Sequence, residues 1–172
     1  MSLLKSLFPR MPWLWYGVSG VVVALDLFTK YLVSSALSLE DRVAVLPIFD
    51  ITLRHNSGAA FSFLADAGGW QTWFFGILSA AVSLVLIVWL ARVPKHKLWE
   101  IVGLSLILGG ALGNLYDRAT LGYVVDFILV YYQQYQFPAF NVADSAITLG
   151  AGCLLFDAFF VAKTSNETQS NA

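Results

Sequence analysis

The chain has 172 residues, 58% of them hydrophobic and only 12% charged, with a formal net charge of -1 and a mean hydropathy of +0.70. Soluble proteins average nearer a quarter charged residues, and a water-exposed domain of this make-up would carry large apolar patches. An ordinary soluble domain, a disordered chain and a nucleic-acid binder are thereby excluded, which leaves an integral membrane protein.

Crossing a bilayer core as a helix takes about 20 apolar residues, and four stretches reach that length. The first runs from Trp13 to Ala36 and is interrupted by Asp26 and Lys30. Lys5 and Arg10 precede it as in a signal peptide, but its apolar stretch exceeds the roughly 7–15 residues of such a core, so it reads as a retained helix. A loop over about 37–69 follows. Within it Phe49, Ile51 and Leu53 alternate with Asp50 and Thr52, a period of two that predicts a strand. Asn56-Ser57-Gly58 then turns the chain toward Ala59-Ala60-Phe61, and an interfacial piece is expected around Gly68-Gly69-Trp70.

The second span, Trp70 to Ala91, carries no charge and closes on Arg92; the third, Leu98 to Tyr116, has Glu100 near its start. A second loop, about 117–139, contains Tyr123 to Tyr132, rich in β-branched and aromatic residues and again strand-like. The fourth span, about 140–162, holds Asp144 and Asp157, and a polar tail follows over 163–172. The expected fold is an all-α integral membrane protein, a single membrane-embedded domain over 1–172. Its four transmembrane helices carry a small interfacial β-sheet and loop subdomain on the outer side.

Lys and Arg in the flanks set the orientation. Lys5, Arg10, Arg92, Lys95, Lys97 and Lys163 share one side, against Arg42, Arg54 and Arg118 on the other, so both termini are expected to be cytoplasmic. The lone Cys153 lies in an apolar run and allows no internal disulfide or thiolate metal site. His55 and His96 fall in loops on opposite sides.

Intramembrane charges cost roughly 2.5–3.5 kcal/mol each on insertion scales and need a reason. With this topology Asp26, Lys30, Asn114, Asp117, Arg118, Asn141 and Asp144 gather near the outer ends of their helices, level with Asn56 and Asp126 in the loops. Plainer readings stand beside a substrate role. Asp26 and Lys30, four apart with the acid first, can neutralise each other. Asp117 and Arg118 suit support, Arg118 pinning a carboxylate or a carbonyl. Asn56 and Asn141 can close a turn or cap a helix, and Asn114 can bridge helices. Lys30 and Ser34 are four apart, but a Ser-Lys dyad is read as helical coincidence. The glycines of Gly109-Gly-Ala-Leu-Gly113 let helices approach closely.

Asp126 and Asp144 are harder to explain away. Asp126 stands between Val124-Val125 and Phe127-Ile128 with no nearby cation in sequence, so that pairing with Arg118 is its one plain alternative, and Asp144 lies at a helix start where capping is its alternative. Two carboxylates sharing a dry site divide one proton, which supplies a base to activate water and an acid to polarise a carbonyl.

The motifs Asp26-Leu-Phe-Thr-Lys30, Asn56-Ser-Gly-Ala-Ala-Phe61, Gly109-Gly-Ala-Leu-Gly-Asn-Leu-Tyr-Asp-Arg118, Gly122-Tyr-Val-Val-Asp-Phe127 and Phe140-Asn-Val-Ala-Asp144 occur in this order. The sequence resembles the lipoprotein signal peptidases, or signal peptidase II, of bacterial inner membranes. The resemblance implies an aspartic endopeptidase with Asp126 and Asp144 as its catalytic dyad. Asp26, Lys30, Asn56, Asn114, Arg118 and Asn141 would bind or support around it. The implied substrate is a diacylglyceryl-modified prolipoprotein, cut just before the lipidated lipobox cysteine at the periplasmic face. Membrane lipids and globomycin-type inhibitors are the other implied partners, with no nucleic acid, and no metal or organic cofactor is called for. The rival reading, a proton-coupled transporter, places its charges near the bilayer midplane between repeats, and the sequence has neither feature.

Overall fold

A computed structural model of the chain describes residues 13–58 and 70–161. The expected turn at 59–61, the interfacial piece at 68–69 and the tail at 163–172 lie outside the described residues. Among the described residues four helices are long and apolar enough to cross a membrane. Helix α1 is Trp13–Ala36, α2 Trp70–Arg92, α3 Leu98–Thr120 and α4 Val142–Phe156, the last running on into a π-helical turn, Asp157–Val161. Between α1 and α2 lie β1 (Arg42–Leu46) and β2 (Phe49–Asn56); between α3 and α4 lie β3 (Val124–Tyr132) and β4 (Tyr135–Gln136).

Helix α3 stands in the middle, packed against α1, α2 and α4. Its sequence explains why. Small residues line it on two sides, and each close crossing falls on one of them. An added methyl on Gly103 would lie 2.7 Å from the Gly150 carbonyl of α4, and one on Gly109 would lie 2.8 Å from the Ser19 carbonyl of α1. Backbones this close leave no room for a Cβ, the small-residue packing that holds helices together where lipid offers no hydrophobic contrast. Ser19 adds a hydrogen bond to the Ser105 carbonyl at 2.8 Å, and Tyr16 donates to the Ile87 carbonyl at 2.7 Å. At the end away from the sheet, Leu86, Leu90, Val93, Ile101, Leu104 and Leu108 form an apolar core. The outward faces are apolar too: Leu14, Trp73, Ile77, Leu84 and Leu149 are all exposed. Such surfaces are stable only against hydrocarbon.

The sheet is antiparallel in the order β1-β2-β3-β4. The strand expected over 49–53 extends to Asn56, because its second half pairs with β3, Arg54 opposite Asp126 and Asn56 opposite Val124. Strand β1 had no signal in the sequence: all five of its residues are exposed, so no buried face imposes an alternation.

Two helix ends differ from expectation. Helix α3 continues past Tyr116 to Thr120, which puts Asp117 and Arg118 on the helix rather than in the loop; Gly122, at φ +82, then reverses the chain. Helix α4 starts at Val142 because Phe140 is engaged with the sheet. The Ile128 and Phe140 backbones exchange hydrogen bonds at 2.8 and 3.0 Å. Together these features bring the strand carrying Asp126 against the first turn of α4.

Candidate active site

The polar residues converge where the sheet meets the ends of α1, α3 and α4. Asp26 and Lys30 lie one turn apart on α1, at 0% and 3% exposure. The Lys30 ammonium sits 2.7 Å from Asp26 Oδ2 and 2.9 Å from Asp117 Oδ2, and donates to Asn114 Oδ1 at 3.0 Å. An ammonium has three donors and no acceptor, so each finds a partner. The expected Asp26–Lys30 pair is therefore real, and Asp117, read from sequence as support, is its second acid. Ser34, by contrast, is exposed while Lys30 is buried, so these two residues form no dyad. Asp26 Oδ1 accepts from the Ala143 N–H at 2.8 Å and Asp117 Oδ2 from the Val125 N–H at 3.1 Å, which ties α1 to α4 and α3 to β3.

Asn141 joins the two aspartates that stood out in the sequence. It caps α4, its Oδ1 accepting from the Asp144 N–H at 2.9 Å, while Asp144 Oδ2 accepts from the Asn141 N–H at 3.3 Å. This is the reciprocal capping box. The capping reading of Asn141 and Asp144 thus holds, and it does not use up either side chain. Asn141 Nδ2 also donates to Asp126 Oδ1 at 2.7 Å, and Asn114 Nδ2 donates to Asp144 Oδ1 at 2.8 Å.

Asn56, at the end of β2 rather than in a loop, donates to Asp126 Oδ2 at 2.9 Å, and its own Oδ1 takes the Gly58 N–H at 3.0 Å. Arg118 reaches carbonyls, those of Asn114 at 3.4 Å and Gly58 at 3.2 Å, and its guanidinium lies 5.8 Å from the Phe75 ring centre. Asp126 is thus held by amides, while Arg118 directs its hydrogen bonds to backbone carbonyls and leaves its buried Nε without a partner. Its burial, and the Asp144 charge beside it, push its carboxyl up to about 7 against the pull of the amide donors and Lys30.

A family model described as Signal peptidase (SPase) II matches residues 18–160. The lipoprotein signal peptidase of Acinetobacter baumannii is 56% identical over 161 residues, 92% of each chain. That of Teredinibacter turnerae is 54% identical over 151 residues, 88% of this chain and 90% of its own. The chain belongs to the signal peptidase II family. A solved bacterial membrane enzyme, 32% identical, superimposes with a TM-score of 0.78 over 91% of this chain and 93% of its own. A second superimposes at 0.76 with 31% identity over 88% of this chain.

As a member of signal peptidase II, the chain is a membrane protease, and its hydrolytic groups are to be sought where polar side chains meet open space. A cavity of about 300 Å³ opens beside Asp126, lined also by Arg54, His55, Asn56, Leu129 and Phe137. His55 stacks on Tyr123 at 3.8 Å between ring centres, and burial holds its imidazole below the ordinary value. Asp126 and Glu40 are the carboxyl groups that line this cavity, and only Asp126 of the two is buried.

Proposed function

We propose that Asp126 and Asp144 form the catalytic dyad of an aspartic endopeptidase. It removes signal peptides from diacylglyceryl-modified prolipoproteins by cleaving just before the lipidated cysteine. The observation that carries the reading is the Asn141 bridge: one side chain binds the Asp126 carboxyl, while its cap and backbone N–H bind Asp144. Two carboxyl groups, one buried and one half-buried, that are held by the side-chain and backbone amides of a single residue share one proton more easily than they ionise together. The unprotonated member takes a proton from water as the oxygen attacks the scissile carbonyl. The protonated member donates to the carbonyl oxygen as it gains charge, and the proton held by the base then passes to the departing amide nitrogen.

Membrane geometry favours this substrate. The diacylglyceryl cysteine keeps its acyl chains in the outer leaflet, and the signal helix runs inward beside the apolar faces of the bundle. The peptide bond between them then lies near the outer surface. With both termini cytoplasmic, as the flanking Lys and Arg residues favour, the dyad end of the bundle faces the periplasm of an inner-membrane enzyme. Asp26, Lys30, Asn56, Asn114, Arg118 and Asn141 serve as supporting groups in a single membrane-embedded domain. Membrane lipids and globomycin-type cyclic peptides are its further ligands. The Asn56 amide donates to Asp126 and acts on the dyad through that bond.

The test is cleavage of a diacylglyceryl-modified prolipoprotein in detergent by wild type, Asp126→Asn and Asp144→Asn, each checked for fold. Both variants are expected to lose at least about a thousandfold in rate, on the order of 4 kcal/mol of barrier. Near-normal activity in either folded variant removes that aspartate from the chemistry.

A further inference from the structure

Lys30 touches neither Asp126 nor the Asp144 carboxylate in the hydrogen-bond network, and its third donor goes to a neutral amide rather than to another acid. That choice has a consequence for the dyad. The two ends of an asparagine amide are nearly alike in shape, so neighbours decide which way it faces. At Asn114 the decision is forced. Lys30 offers only donors, and it lies 3.0 Å from Oδ1. The Asn141 amide, whose own Oδ1 is committed to the Asp144 N–H, presents Nδ2 to the same Asn114 oxygen at 3.2 Å. A flipped Asn114 would set its NH₂ against an ammonium and its oxygen against a carboxylate. With Oδ1 occupied, Nδ2 points at Asp144 Oδ1, 2.8 Å away.

We propose that Lys30 is a positioning residue for the hydrolysis: by occupying the Asn114 oxygen it fixes that amide as a donor to Asp144, so that Asp144 is the member of the dyad that accepts the proton from water. The proposal rests on the reading of Asp126 and Asp144 as the catalytic pair.

Asp144 is suited to the base role by a second feature, its place in the first turn of α4, where the helix N-terminus favours negative charge. Asp126 lies on a strand and has no such field. Its two donors, Asn56 and Asn141, are oriented by the neutral backbone N–H groups of Gly58 and Asp144. Among the amide donors described around the two aspartates, the one aimed by a cation is Asn114, which serves Asp144. The charged groups paired with Lys30 are Asp26 on its own helix and Asp117 on α3; Asp126 and Asp144 also lie within its field, and Arg118, one residue beyond Asp117 on α3, is turned to the Asn114 and Gly58 carbonyls.

The experiment is a double-mutant cycle in detergent with a diacylglyceryl-modified prolipoprotein, using Lys30→Met, Asn114→Leu and the pair. Each single variant is expected to lower kcat by about a hundredfold, the scale of one lost donor at a reacting charge, with KM changed by less than about threefold. If Lys30 acts through Asn114, the double variant is no worse than the poorer single. Losses that multiply, a loss confined to KM, or an unchanged kcat in Lys30→Met each overturn the proposal.

Removing Lys30 strands two buried carboxylates, so the cycle is repeated in an Asp117→Asn background, where only Asp26 is left unpaired. Should no Lys30→Met chain fold, Lys30→Met is placed in an Asp26→Asn/Asp117→Asn background, where no carboxylate of the ion-pair cluster is left unpaired. Against that background alone, an unchanged kcat overturns the proposal, and a loss in kcat that Asn114→Leu does not deepen upholds it. Asp144→Asn is assayed in parallel. If it stays active, the dyad reading and this inference both fall; if it is inactive while the losses multiply, only the role of Lys30 falls.

Discussion

Replacing Gly113 by Ala places one methyl group at the crossing of α1 and α3. The new Cβ would lie 2.6 Å from Asp26 Oδ2, 3.2 Å from its Cγ and 3.5 Å from the Ala143 Cβ. A carbon and an oxygen need roughly 3.3 Å or more at ordinary packing, and Asp26 has nowhere to go. Its Oδ2 is held by Lys30 at 2.7 Å and its Oδ1 by the Ala143 N–H at 2.8 Å. Overpacking alone costs about 1–3 kcal/mol, and pulling the carboxylate off a buried partner raises the cost toward about 3–5 kcal/mol. The helix preference of Ala over Gly returns about 1 kcal/mol. The expected net destabilisation is about 2–4 kcal/mol. The assay is reversible SDS unfolding of purified protein in mixed micelles. Gly20→Ala and Gly76→Ala serve as controls, since an added methyl at either meets nothing within 4 Å; both are expected to be neutral or stabilising by up to about 1 kcal/mol. A Gly113→Ala protein as stable as Gly20→Ala would refute the claim that Asp26 is clamped there.

Other expectations follow from the same network. Asn141→Ser keeps a good helix cap but loses the donor to Asp126 and to the Val125 carbonyl, so unfolding should shift by about 1–3 kcal/mol while cleavage by the folded variant falls at least about tenfold; equal activity would detach Asn141 from the dyad. Burial and Asp144 push Asp126 up to about 7 from its ordinary 3.8, so between those values the folded chain holds a proton that the unfolded chain has lost. Stability should therefore fall as pH rises from about 4 to about 7, and Asp126→Asn should flatten that slope in SDS titrations; an unchanged slope assigns the effect elsewhere. By the same proton, kcat/KM of wild type should decline as pH rises through about 7, and a rate still climbing above that point contradicts a dyad that needs Asp126 protonated. Ser19→Ala removes the bond to the Ser105 carbonyl and should cost about 0.6 kcal/mol, the average for a hydrogen bond between membrane helices.

Much of the architecture was legible because a bilayer imposes local rules. Four apolar runs of span length stood out as such, and their cores coincide with α1 to α4. The helix ends moved for reasons that no run of residues displays. Phe140 is apolar enough to belong to α4, yet its backbone pairs with Ile128 and yields the helix start to Asn141. Asp117 and Arg118 look like the close of a helix, yet α3 carries both inside its last turns. Strand β1 left no mark because none of its residues is buried.

The sequence by itself determined the class of protein and the identity of the polar residues that demand explanation, since each charge inside an apolar run is costly wherever it ends up. It also carried the ordered motifs that mark the family. What only the tertiary structure decided is how those residues pair. Lys30 meets Asn114 across 84 positions of sequence, and Asp26 meets the Ala143 backbone across 117. No local pattern encodes such contacts; they exist because Gly109 and Gly113 let α1 close on α3, and Gly103 lets α4 do the same. The facing of the Asn114 amide, on which the proposed division of labour between Asp126 and Asp144 turns, is set by the donors that this packing brings against it.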